Sequence, residues 1–189
     1  MAYEQSDHPE LWTFLETLRP GETLTGAVAA IARFGVFVAL DDGPAHPTFP
    51  GVGFITIPEL AWQHFDAATD IVEVGQRVSC EFLQFDTWNL EARLSLRAMQ
   101  PDPFQTFADR VSVGAELTGQ VTKVLPFGVF VRVAEGIEGL LRTAEGESEG
   151  EAAVEFEVGA AVTVVVAVVD RKRRALGLSS DAGHMDMWQ

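Results

Sequence analysis

A five-residue string occurs twice in this chain of 189 residues: Phe34-Gly35-Val36-Phe37-Val38 returns unchanged as Phe127-Gly128-Val129-Phe130-Val131. The offset is 93, and at the same offset Thr25-Gly26-Ala27-Val28 returns as Thr118-Gly119-Gln120-Val121. Upstream, Leu11, Phe14 and Leu18 correspond to Phe104, Phe107 and Val111, each set spaced i, i+3, i+7 along one helix face. Such self-similarity constrains the fold more than composition does, because each copy must then be one structural unit. The chain divides on this reading into residues 1–100 and 101–189, each opening on a short helix. Asp102 before Pro103 is an N-cap ahead of an N1 proline, and Asp7 near Pro9 marks a similar start.

Behind each helix the apolar pattern changes from helical to alternating. It predicts strands over residues 23–31, 36–40, 54–57, 78–85 and 92–97 in the first unit. In the second unit it predicts them over 116–125, 129–133, 140–142, 162–169 and 175–179. Between the third and fourth strands lie residues 58–65, which suit a helical turn, and the acidic stretch 145–157 with Glu145, Glu147, Glu149, Glu151, Glu155 and Glu157. Five short strands with one insertion predict a mainly β protein of two tandem five-stranded OB-type barrels, each preceded by a short helix.

Charge and composition narrow the function. A net charge of −15 opposes diffuse nucleic-acid binding, so any phosphate contact must be local. Residues 1–100 carry 5 basic and 14 acidic groups, residues 101–189 carry 8 and 14, and the second unit is the less repulsive to phosphate. The longest apolar run, residues 160–169, falls short of the roughly 20 that a membrane span needs, and no basic segment precedes an apolar stretch at the N-terminus. One cysteine, Cys80, excludes an internal disulfide and a cysteine-based zinc site, and a cytoplasmic protein is expected. His8, His46, His64 and His184 form no ligand pair, and no nucleophile motif accompanies them. Neither an enzyme nor a cofactor or metal site is expected.

The doubled motifs resemble the S1 RNA-binding domain, an OB-fold module named after a ribosomal protein and found also in polynucleotide phosphorylase and RNase E. The resemblance covers residues 21–98 and 112–180. It rests on Thr-Gly-x-Val, on Phe-Gly-Val-Phe-Val, on the Val-Gly pairs at residues 74–75 and 158–159, on an Asp ending the fourth strand and on a Leu-Ser close. It implies that the Phe pair of each repeat stacks on RNA bases: Phe34 with Phe37, and Phe127 with Phe130. It further implies roles for Asp86 and Asp170 at the fourth-strand ends and for Arg93 before the last strand. In the second repeat that arginine falls on Ala175, with Arg174 one residue earlier. The family's surface histidine falls on Thr56 and Arg142.

Strand alternation sends residues i and i+3 to opposite faces, so each Phe pair shares a surface only if its glycine permits a bend. Lys123, Arg132, Arg142 and the run Arg171-Lys172-Arg173-Arg174 are candidates to contact phosphate around the second pair. Together these features predict weak single-stranded RNA binding, mainly by the second barrel. The alternative is a protein-interaction module whose partner docks through Trp88, Phe49 or the acidic stretch. Trp12, Trp62 and Cys80 read as structural, Trp188 as part of a frayed tail, and Gly51-Val52-Gly53 as a turn.

Overall fold

Alternation within each strand sends one row of side chains inward, and closing the sheet gives that row a common interior. The computed structural model describes residues 3–142 and 156–180. It has two units, Met1–Pro101 and Asp102–Gln189. The first contains α1 (Pro9–Thr17), β1 (Thr23–Ala32), β2 (Gly35–Leu40), β3 (Gly53–Thr56), β4 (Arg77–Asp86) and β5 (Glu91–Ser95). The second contains α2 (Pro103–Arg110), β6 (Glu116–Leu125), β7 (Gly128–Ala134), β8 (Ile137–Arg142), β9 (Ala161–Asp170) and β10 (Ala175–Ser179). Both sheets close, in the orders β1-β2-β3-β5-β4 and β10-β8-β7-β6-β9. Among the described residues the parallel pairings are β3 with β5 and β8 with β10.

The interior of the first barrel is built from Val28, Val36, Val38, Ile55, Cys80, Phe82 and Leu94, with Leu11 and Leu15 of α1 packed against it. Val121, Val129, Val131, Leu141, Val164, Val166 and Leu178 fill the second, where Phe104 and Ala108 of α2 take the helix positions. Cys80 is wholly buried, and burial pushes its thiol up to about 12. The barrels even repeat their irregularities. A register shift between Val28 and Ala30 in β1 recurs between Val121 and Lys123 in β6, each coiling the strand as closure requires.

Local details differ in part. Asp102 caps α2 as expected, accepting from the Phe104 and Gln105 amides, and Pro9 opens α1, but the N-cap of α1 is His8 and not Asp7, and it makes no side-chain cap bond. The helical turn expected within residues 58–65 is the 3-10 turn Ile57–Glu59, and a second 3-10 turn occupies Ala68–Asp70. The fifth strand stops at Ser95, because Leu96 leads into a 3-10 turn over Arg97–Met99. No helix among the described residues is long and apolar enough to cross a membrane.

Candidate nucleic-acid interface

The first Phe pair reaches a common face through a turn, with no bulge at the glycine. Phe34 precedes β2 in the β1–β2 turn, and along β2 Val36 and Val38 point inward while Phe37 points outward. The two rings meet edge to face at 6.1 Å. Gly35 is needed for a different reason: a Cβ there would lie 2.3 Å from Cζ of Phe54 and 2.4 Å from the Ile55 carbonyl. Phe54 thus crosses the missing side chain and touches both partners, 5.8 Å from Phe34 and 4.9 Å from Phe37. The motif reading passes over Phe54, although its alternation with the buried Ile55 places it outward.

In the first barrel this aromatic face is largely covered by the chain itself. Phe34 is 66% exposed, but Phe37 is only 6% exposed, with Phe54 against it at 4.9 Å and Phe49, from the loop after β2, stacked on it at 5.3 Å. Arg93 lies over Phe54 at 4.9 Å, and its guanidinium is held by Asp86 at 2.5 Å and Glu91 at 3.7 Å. Asp86 also accepts from the Trp88 and Asn89 amides, so it organises the β4–β5 turn. Burial alone would raise the Asp86 pKa; hydrogen bonds from Arg93 and Asn89 outweigh it and hold the carboxyl below its usual value. Trp88 in that turn is 62% exposed.

The second barrel carries the same frame with different occupants. Phe127 is 59% exposed and Phe130 half-buried. Directly opposite Phe130 stand Lys123 on β6 and Leu140 on β8; opposite Gly128 stands Arg142; and two residues beyond Phe130, on the same face, stands Arg132. The corresponding positions of the first barrel hold Ala30, Phe54, Thr56 and Ala39. Lys123 has no ion pair among the described residues, and Arg132 donates to the neutral Gln120 side chain at 2.8 Å.

Two of the other candidate cations, Arg171 and Arg174, serve the fold. Arg174 is bonded to Asp102, the α2 cap, and lies over Phe104. Arg171 donates to Asp109, Gln105 and the Ala108 carbonyl, tying the β9–β10 turn to α2. Asp170 accepts from the Arg173 amide, again inside that turn. Strand register also corrects the alignment of the last strand: Arg93 pairs with Phe54 as Gly177 pairs with Leu140, so the counterpart of Arg93 is Gly177 and not Ala175. The two turns are equally long, each spanning four residues between strand-ending partners, with Leu90 and Arg174 both at positive φ. The acidic stretch lies outside the described residues except for the exposed Glu157 and the half-buried Phe156, and so does Trp188. Among the described residues no group of acidic, His or Cys side chains is placed to hold a metal.

Glu91 gives the first barrel a pH signature. Burial pushes its carboxyl up to about 7 against the pull of Arg93, with Asp86 adding to the rise. The native state then keeps a proton that the unfolded chain has lost, so stability falls as pH rises from about 4.5 to about 7. At 1.36 kcal/mol per pKa unit the loss is on the order of 3 kcal/mol. Glu91→Gln is expected to remove it, flattening the midpoint of urea unfolding over this range. An unchanged slope would show that Glu91 stays ionised in the fold.

Two five-stranded barrels with a Phe-Gly-x-Phe face define a tandem OB-fold protein of the nucleic-acid-binding type. The S1 RNA binding domain matches the chain twice, over residues 17–97 and 110–180, and the chain belongs to that family. It is 37% identical over 186 residues to small ribosomal subunit protein bS1 of Mycolicibacterium smegmatis, covering 97% of this chain and 37% of that protein. Identity to bS1 of Neisseria meningitidis serogroup B is 28%, covering 93% of this chain and 30% of the relative. The chain thus spans about a third of the length of these relatives. Among solved structures, GSP13 from Bacillus subtilis aligns at a TM-score of 0.37 and 25% identity, over 50% of this chain and 73% of its own.

Proposed function

We propose that the chain is a non-enzymatic cytoplasmic protein that binds single-stranded RNA weakly, mainly through the second barrel. One observation carries this reading. Lys123, Arg132 and Arg142 surround Phe127 and Phe130, where the first barrel has Ala30, Ala39 and Thr56 around a covered Phe37. Exposed rings accept any unstacked base, and nearby cations meet the phosphates between bases. The S1 family match and the ribosomal setting named for the bS1 relatives support RNA as the ligand.

Titration of a labelled oligoribonucleotide at several salt concentrations tests it. Two or three phosphate contacts give a log–log salt slope of about −1.4 to −2. The opposing net charge limits the dissociation constant to between about 10 μM and 1 mM at physiological salt. The exposed Trp88 favours a second reading for the first barrel, a protein-docking surface. No RNA binding at low salt would favour that reading.

A further inference from the structure

We propose that the first barrel contains a second base-stacking site, on Phe37, that the chain keeps closed with its own Phe49. The inference rests on the stacking chemistry proposed above and concerns the other barrel. Phe37 stands in β2 where Phe130 stands in β7, and its outward face is the one a base would cover. Phe49 covers it instead, at 5.3 Å and 26° from parallel, an offset stack of the kind a base makes.

The covering loop is an addition to the fold. Val38 pairs with Gly53 and Val131 with Gly139, so the β2–β3 connection is seven residues longer than its counterpart. That connection is built to hold the ring in place. Nδ1 of His46 accepts from the Phe49 amide at 2.8 Å and from the Thr48 amide at 3.1 Å, which leaves Nε2 to donate to the Asn89 carbonyl at 2.9 Å. The buried imidazole also stacks on the far side of the loop ring, 4.7 Å from Phe49, giving a three-ring pile of Phe37, Phe49 and His46. Tyr3 closes the pile, edge-on to His46 at 5.7 Å and bonded to the Thr48 hydroxyl at 2.7 Å. The remainder of the site stays in place behind the ring: Phe34 exposed, Phe54 between the pair, and Arg93 over Phe54.

The test is a gain of binding. In the full chain carrying Phe127→Ala and Phe130→Ala, adding Phe49→Ala is expected to raise affinity for a labelled decauridylate by about fivefold or more, the lower end of what one aromatic stack contributes. Adding Phe37→Ala should cancel the gain. His46→Ala, which frees the loop but keeps the ring, should give a gain in the same direction. Protection of the Cys80 thiol reports that the barrel is still folded. No gain in a variant with Cys80 protected overturns the proposal. A measurement on the unmodified chain supplements the variants: amide resonances of Gly35 to Val38 should stay in place when decauridylate is added, and their movement with Phe49 present overturns the closed site. A second barrel that never bound RNA would leave the gain readable, so the two proposals fail separately.

Discussion

Alanine at both Phe127 and Phe130 is expected to lower affinity for a short single-stranded oligoribonucleotide by about 30-fold or more, since each stacked base contributes about 1–3 kcal/mol. From a weak starting point this removes measurable binding. Alanine at Phe34 and Phe37 should leave the affinity essentially unchanged, because Phe37 is already covered and the surrounding positions carry no charge comparable to Lys123, Arg132 and Arg142. Duplex DNA should compete poorly, its bases being stacked on one another. Fluorescence anisotropy of a labelled oligonucleotide measures all three outcomes. Submillimolar binding that ignores the second Phe pair would overturn the site assignment.

Phe82→Ala is expected to unfold the first barrel and leave the second standing. Phe82 is 2% exposed among Val28, Val38, Cys80 and Leu94, and emptying such a position costs about 3–5 kcal/mol, a large part of the 5–15 kcal/mol that holds a typical domain together. The cores of the two barrels share no residue. Cys80, neighbour but one to Phe82 on the same inward row, gives the readout. Its thiol, buried and held as the unreactive neutral form, should become accessible to a thiol reagent in the variant at denaturant concentrations where the parent remains protected. RNA binding through Phe127 and Phe130 should persist in the same sample. Loss of both together would mean that the second barrel needs the first to fold.

Most of the architecture was readable from residue order because it depends on local periods. The alternation around Val36 and Val129, the i, i+3, i+7 spacing at Leu11 and Phe104, and the proline behind Asp102 each act over fewer than ten residues. Seeing them twice at one offset turned ten short strands into two barrels. Boundaries were less legible where a contact from elsewhere ends an element. The Glu59 carbonyl accepts from the Leu96 amide as β5 gives way to its 3-10 turn, and Glu59 also holds Arg97 at 2.9 Å.

The candidate site divides in the same way. That Phe34, Phe37, Phe127 and Phe130 belong to equivalent faces follows from the repeat, and so does the excess of positive charge in the second copy. Which ring is open and which cation is free does not follow, because both depend on residues distant in sequence. Phe49 lies twelve positions from the ring it covers, and His46 locks it through a carbonyl 43 positions away. Arg174 is drawn to a helix cap 72 positions before it, whereas Lys123 has no ion pair among the described residues. Sequence by itself determined the fold and the two Phe-bearing faces, since burial periodicity is a property of neighbouring residues. Only the tertiary structure decided which face is uncovered, since stacking and ion pairing are settled by whichever group the closed barrel brings within reach.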